Sequence, residues 1–344
     1  MTIETAALLR SMSDEVYASL RPQLDADPTG LDIPWDTVRG LEWPLVGIDE
    51  QSGGAGGEFD DVLALAEGLG RNAAALPLLE AHVAAVTAAA GSRTDILTRR
   101  LVVEAAAPGA TLEVAERDGH FVVSGSIPRV PWARHADAFL LRLPDRRPRW
   151  VECAADAPGI RIRRGENFAG EPRDEVHLDA VTVDADRSWY GDDPVLPSLA
   201  MLLRSAATIG AMEATVSLTA KYVAEREQFG RPLQAQQSVA QEVALMRCQL
   251  SAARFALDAA RQTPTTAATV ATHVDVAALA TVLARTAHDL HGAMGVAHEY
   301  DLHRYTRRLW AWAEEGMRQD TARTAVGLRT VTRGIDHLWS DLTA

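Results

Sequence analysis

Residues 222–233 read Tyr222-Val223-Ala224-Glu225-Arg226-Glu227-Gln228-Phe229-Gly230-Arg231-Pro232-Leu233, with Gln237 and Met246 following. On the N-terminal side, from about Pro197, alanine and leucine recur at 3.6-residue periodicity and glycine and proline are sparse. This predicts a helical bundle for the final third. Gly230 is expected to permit the tight helix end.

Further toward the N-terminus the texture changes twice. Between about Arg99 and Asp186 short β-branched runs alternate with Gly, Pro and Asp: Leu101–Val103, Phe121–Val123, Ala138–Leu141, Trp150-Val151, Ile160–Ile162 and Val176–Val183. These predict an antiparallel β domain. From Thr2 to about Thr98 helical spacing returns, as in Val62, Leu65, Ala66 and Leu69, interrupted at Asp27-Pro28-Thr29-Gly30 and at Gly53-Gly54-Ala55-Gly56-Gly57. The glycine cluster reads as a mobile turn.

At 344 residues, 47% hydrophobic, the chain is long enough for two or three domains of roughly 100–200 residues each. Its 34 basic and 47 acidic side chains leave a formal charge of −13, which argues against binding duplex nucleic acid or an anionic membrane. Lys221 is the one lysine, so no phosphate cradle of the Gly-Lys-Ser/Thr kind exists. His298, Glu299 and His303 miss the spacing of a metalloprotease helix, and the glycine cluster lacks the phase of a dinucleotide fingerprint. No Gly-x-Ser-x-Gly elbow occurs. Cys153 and Cys248 read as buried thiols. Acids in Met1–Leu20 and the lack of any uninterrupted apolar run of about 20 residues predict neither a signal peptide nor a membrane span, hence a cytoplasmic location.

Residues 222–233 closely resemble the Arg-x-Gln-Phe-Gly-x-Pro-Leu segment of the acyl-CoA dehydrogenase family. Two further stretches agree in order and spacing. One is Gly47-Ile48-Asp49-Glu50-Gln51-Ser52-Gly53-Gly54 with Glu67-Gly68-Leu69-Gly70-Arg71. The other is Leu290-His291-Gly292-Ala293-Met294-Gly295 with Glu299-Tyr300-Asp301-Leu302-His303-Arg304-Tyr305. The resemblance spans nearly the whole chain. It implies an α+β multidomain fold with an N-terminal helical domain (1–98), a middle antiparallel β domain (99–186) and a C-terminal helical bundle (187–344). It also implies FAD shared at a subunit interface, with Arg226, Gln228, Phe229, Gln237, Gly292 and Ala293 carried over as cofactor-binding positions. A guanidinium suits pyrophosphate oxygens, an amide both donates and accepts, and a ring offers a face to adenine. The plainer alternative, Arg226 pairing with a carboxylate and Phe229 filling core, is outweighed by three motifs in order.

The resemblance also shows gaps. The family removes an α proton with a glutamate placed at the start of the first long C-terminal helix or near the chain's end. The first position falls on Ala200, and Leu196–Met212 contains no carboxylate. The second is reached only by a one-residue gap aligning Glu315-Gly316, where Glu314 and Glu315 read as solvated acids on a continuing helix. The Thr-Glu-Pro loop that faces the flavin ring in the family is replaced by Val103-Glu104-Ala105-Ala106-Ala107-Pro108-Gly109, a loop shortened before Thr111. Arg129-Val130-Pro131-Trp132 stands for the family's later Trp-Ile-Thr, losing a hydroxyl and an amide. Asp289 replaces the usual glutamine beside Gly292, and Ala293 the second glycine; a carboxylate facing pyrophosphate would be repelled, so Asp289 is expected to turn away or to meet a counter-ion. His291 and His303 read as satisfied packing groups, Trp310 and Trp312 as core or interface, and Arg161, Arg163 and Arg164 as a solvated strand edge.

A chain that keeps the cross-subunit flavin contacts and lacks its own base resembles the smaller, non-catalytic subunit of heteromeric actinobacterial steroid acyl-CoA dehydrogenases. The implied activity is α,β-dehydrogenation of a bulky acyl-CoA, with a homologous partner subunit supplying the glutamate and an electron-transfer flavoprotein accepting electrons. The alternatives are a self-sufficient homomeric dehydrogenase using Glu315 and a flavin-free scaffold.

Overall fold

The computed structural model describes residues 2–27, 31–105, 109–145, 147, 149–191, 195–262 and 265–315, and positions 324, 327–328, 331–332 and 334; side chains at 2–4 and 195–197 are not described. Five helices come first: α1 (Thr2–Ala26), α2 (Asp32–Gly40), α3 (Phe59–Arg71), α4 (Leu78–Ala90) and the single turn α5 (Thr94–Leu97). Eight strands follow: β1 (Val102–Ala105), β2 (Thr111–Arg117), β3 (His120–Pro131), β4 (Ala138–Leu143), β5 (Arg149–Ala154), β6 (Ile160–Arg163), β7 (Arg173–Asp184) and β8 (Ser188–Tyr190). The last section is α6 (Val195–Glu225), the two-residue strands β9 (Glu227–Gln228) and β10 (Arg231–Pro232), then α7 (Gln237–Gln262), α8 (Thr266–His291) and α9 (Leu302–Ala313).

The chain divides into two compact units. One holds residues 1–19, 63–74 and 197–344; the other holds residues 20–62 and 75–196.

In the second unit the strands form two four-stranded sheets, ordered β1-β4-β5-β8 and β2-β3-β7-β6. The sheet β2-β3-β7-β6 is antiparallel throughout. The other departs from the antiparallel expectation at one edge, where β1 runs parallel to β4 with Val103 opposite Phe139 and Ala105 opposite Leu141. Parallel neighbours need a long crossover, and here 32 residues, Ala106 to Asp137, separate the two strands and contain the β2–β3 hairpin. Ala84 and Ala88 of α4 pack with Ile96, Val102, Ala138, Leu140 and Trp150, so small helix residues let α4 lie close to this sheet. The glycine cluster is tied rather than loose: Gly47 N–H donates to Gly56 O at 2.7 Å, Gly56 N–H to Ile48 O at 2.9 Å, and Gly54 N–H to Asp49 O at 3.0 Å. The Asp49 carboxylate accepts from Gln51 N–H at 2.8 Å, capping the turn between them.

In the first unit α6 and α8 are long and apolar enough to cross a membrane by composition. Within α6, however, 83% of that window is buried in the protein, and within α8 67%, as in core helices that are apolar all round. α3 crosses α6 at glycines: a Cβ on Gly70 would overlap the Ala207 carbonyl, and one on Gly210 the Glu67 carbonyl. The segment Glu67-Gly68-Leu69-Gly70-Arg71 thus buys close helix contact. Thr265 caps α8, its hydroxyl accepting from Ala268 N–H at 3.1 Å.

Candidate functional site

α6 ends at Glu225 because the chain turns into a β-hairpin. Gln228 pairs with Arg231 and Glu227 with Pro232, and Leu233 N–H donates to Arg226 O at 2.8 Å, closing the loop. Phe229 and Gly230 form its two-residue turn with φ of 55° and 76°. Positive φ at both central residues is the pattern of a type I′ turn, whose usual occupants are Asn-Gly. Gly230 therefore serves the hairpin rather than the helix end. A bulky ring at positive φ is strained, and Phe229 is 91% exposed. The core-filling alternative for Phe229 fails on that exposure. Arg226, Gln228 and Gln237 are exposed as well. Among the described residues the Arg226 side chain makes no hydrogen bond or ion pair, so the helix-face pairing alternative fails too.

The Gly292 loop lies at the other end of a short bridge. Gly292 caps α8 at φ 57°, ψ −138°, a backbone conformation open to glycine, and its N–H donates to His288 O. Gly292, Ala293 and Met294 are exposed in the 3₁₀ turn that follows. Behind this turn His291 is buried, its Nδ1 2.7 Å from Ala287 O and its Nε2 3.3 Å from the Tyr300 hydroxyl. Tyr222, one turn before Arg226, stacks on the His291 ring at 4.3 Å. The structure thus brings the Arg226 hairpin and the Gly292 loop together through Tyr222 and His291, while Gln237 opens α7 on the far side of the hairpin. Asp289 is exposed and, among the described residues, its side chain makes no hydrogen bond or ion pair. His303 is satisfied by Tyr300 O at 2.9 Å.

At the two base positions the findings differ from expectation in one respect. Ala200 is exposed on α6, with no carboxylate before Glu213. Glu315 is not a solvated acid on a continuing helix: α9 stops at Ala313, Glu314 is exposed, and Glu315 turns inward to 8% exposure. There its Oε2 lies 3.3 Å from Arg204 Nη2, and the Arg204 guanidinium sits 5.3 Å over the Trp312 ring. Gly316 and residues 106–108 of the replaced Thr-Glu-Pro loop lie outside the described residues. Trp312 is core, and Trp310 stacks on His288 at 5.3 Å. Arg161 and Arg163 do lie on an edge strand, paired with Asp179 and Glu175.

Two clusters went unforeseen because their members come from separate elements. In the first unit Arg10 and Arg254 grip Glu213 at 2.6 and 2.7 Å and Glu67 at 3.4 and 3.2 Å, while Arg71 holds Asp14 at 3.0 Å. Burial pushes the Glu67 carboxyl up against the pull of Arg254 and Arg10. In the second, Glu152 of β5 is buried and paired with Arg93, Arg99 and Arg187. Cys248 also departs from expectation: it is exposed on α7, whereas Cys153 is buried and burial pushes its thiol up to about 12. A cavity of about 630 Å³ between α2, α4 and α5 in the second unit is lined by Trp35, Arg39, Ala84, Ile96 and Arg100 among others, and by none of the candidate residues.

The donor set fits a flavin dinucleotide. Unpaired Arg226, exposed Gln228 and an uncovered ring on a strained turn are a cation, an amide and a stacking face displayed outward, and Gly292 itself has no side chain and open space where a Cβ would stand.

Comparison with known proteins bears on the fold and the kind of protein this chain is similar to. The family model described as acyl-CoA dehydrogenase, C-terminal domain, matches residues 201–313. The acyl-CoA dehydrogenase IpdE2 of Mycolicibacterium smegmatis is 28% identical over 312 residues, covering 89% of this chain and 90% of that protein. A solved steroid acyl-CoA dehydrogenase, the Tcur3481–Tcur3483 G363A variant, superposes with a TM-score of 0.86 at 25% identity, covering 98% of this chain and 100% of the other. The ChsE4–ChsE5 complex from Mycobacterium tuberculosis superposes with a TM-score of 0.85 at 24% identity, covering 98% of each chain, a likeness of fold. Residues 201–313 thus match the acyl-CoA dehydrogenase C-terminal domain, and the chain as a whole has the acyl-CoA dehydrogenase fold.

Proposed function

We propose that this chain is the base-deficient subunit of a heteromeric, FAD-dependent acyl-CoA dehydrogenase that forms the 2,3-enoyl thioester of a bulky acyl-CoA, a steroid side-chain thioester being the class in view. The names of its relatives support the substrate class, since one solved neighbour is a steroid acyl-CoA dehydrogenase of two components. One observation carries the division of labour: α6 holds no carboxylate from Leu196 to Met212 and Glu315 is tied to Arg204, while Arg226, Gln228 and Phe229 stand outward and unpaired.

FAD, when bound, would supply the hydride acceptor for the β hydrogen. This chain's part is to bind and orient: Arg226 would hold pyrophosphate oxygens, Gln228 would donate and accept along the nucleotide, and Phe229 would offer its ring to adenine. Gln237, Gly292 and Ala293 flank the same path. The α proton goes to a glutamate of a homologous partner subunit, because Ala200 cannot take it and Glu315 is occupied. An electron-transfer flavoprotein is the acceptor this reading entails.

The test is the visible spectrum and solution mass of the chain expressed alone and with a homologous partner bearing a glutamate on its first long C-terminal helix. The expected result is a colourless chain alone and a yellow complex with about one flavin per pair of unlike chains. Glu315→Gln leaves turnover of the complex unchanged, and Arg226→Ala releases its flavin. A yellow chain alone with one flavin each, or turnover lost in Glu315→Gln while the mass and melting temperature of the complex are unchanged, points to a self-sufficient enzyme; flavin indifferent to Arg226→Ala points to a scaffold.

A further inference from the structure

Tyr222 and His291 are 69 residues apart, yet they join the two segments read here as flavin-binding. Arg226 N–H donates to Tyr222 O at 2.8 Å, so Tyr222 belongs to the last helical turn before the hairpin. Its ring lies on His291 at 22° between planes, and its hydroxyl donates to His291 O at 3.4 Å. That carbonyl belongs to the peptide leading into Gly292. The His291 ring is held in turn. Ala287 O can only accept, so Nδ1 carries the proton, leaving Nε2 of the neutral imidazole to accept from Tyr300. Tyr300 also meets the edge of Tyr222, 6.0 Å between centroids. None of these three groups belongs to the outward set, and each hydrogen bond ends on the turn or on the helix that carries it.

We propose that Tyr222, His291 and Tyr300 are positioning residues that fix the Gly292 peptide relative to Arg226, so that hairpin and turn meet one dinucleotide as a single preformed surface. The proposal rests on the flavin reading above. A neutral, doubly bonded imidazole between two phenols has one favoured orientation, and the peptide it carries inherits it. Without it, ordering the turn would be charged to flavin binding, and affinity would fall with no contact to flavin removed.

The experiment measures FAD binding to the flavin-free heteromeric complex by fluorescence titration, with the visible spectrum of the bound flavin, and with melting temperature and solution mass of the flavin-free complex as controls. Tyr222→Phe keeps the ring and deletes one long hydrogen bond, so its dissociation constant should rise about two- to fivefold. His291→Leu removes both nitrogens and the stack and should weaken binding about tenfold, with His291→Asn, which restores a donor toward Ala287 O, recovering part of it. Bound-flavin spectra should broaden in the same order while mass stays constant. If Arg226→Ala weakens FAD but Tyr222→Phe and His291→Leu bind like the parent, the positioning role is wrong and the flavin reading stands. Should losses follow only falling mass or melting temperature, the cluster is merely structural. If Arg226→Ala also binds like the parent, the flavin reading fails and takes this proposal with it.

Discussion

Phe229 sets stability against binding in a way one substitution can separate. Its φ of 55° is a left-handed conformation that costs an L residue about 1–2 kcal/mol. At 91% exposure the ring repays nothing within the chain. Asparagine tolerates this conformation best, and Asn-Gly is the favoured pair for such a turn. Phe229→Asn should therefore stabilise the isolated chain by up to about 1 kcal/mol. In the complex the sign reverses. Stacking of an aromatic ring on a base is worth about 1–3 kcal/mol, so losing it should weaken FAD by about five- to 150-fold. Chemical denaturation of the chain alone measures the first quantity, provided its unfolding is reversible, and flavin titration of the complex the second. The reasoning is refuted if the variant is less stable than the parent, which would mean the ring is covered in the isolated chain. It is equally refuted if FAD binds the variant as tightly as the parent.

Gly70→Ala should lower the melting temperature sharply or prevent folding, since its Cβ would overlap the Ala207 carbonyl; Gly40→Ala, with no atom within 4 Å and ordinary φ, should change it little, and equal effects would dismiss the helix-crossing argument. Burial pulls the His82 imidazole down to about 4 against its bond to Pro44 O, so its contribution to stability is present above pH 6.5 and lost as pH falls toward 4. Burial pushes the Glu104 carboxyl up to about 7 against its Thr87 bond, so its contribution is present below pH 4.5 and lost as pH rises toward 7. Relative to the parent, Glu104→Gln should thus gain stability with rising pH, by up to roughly 3 kcal/mol, and His82→Gln with falling pH; denaturation curves at several pH values that stay parallel to the parent's would remove these groups as the titrating ones.

What the sequence made readable was local. Helical periodicity marked the first and last thirds as helical, and β-branched runs fell on β1, β3, β4, β5, β6 and β7, because each pattern is written within one element. The Phe229-Gly230 turn was visible for the same reason, although its type was not, since a hairpin and a capped helix end both ask for glycine there. The parallel pairing of β1 with β4 is invisible to alternation, which says which face of a strand is buried and nothing about its neighbour's direction. The same limit explains the acids. Glu314 and Glu315 differ by one position yet one is exposed and the other buried, because α9 ends between Ala313 and them, and only the arrival of Arg204 from α6 makes the inward place tolerable for a carboxylate. Cys248 faces outward on α7 among Leu245, Arg247 and Phe255, all exposed, so an apolar pattern that reads as core marks here a surface the isolated chain leaves open.

The residues with the clearest family resemblance, Arg226, Gln228 and Phe229, are the ones this fold leaves unsupported by any partner within the described chain, and Phe229 is held there at a cost in backbone strain. Strain of that kind persists only where surrounding structure enforces it, and here the enforcement comes from a two-residue hairpin closed by Leu233 N–H on Arg226 O and anchored through Tyr222 to the Gly292 turn. The groups that would make the chain self-sufficient show the opposite economy: Ala200 has no chemistry to offer, and Glu315 spends its charge on Arg204. Outward groups are what a flavin shared at a subunit interface asks of any such chain; what argues for a base supplied by another is that Ala200 has no carboxylate and that Glu315 lies against Arg204.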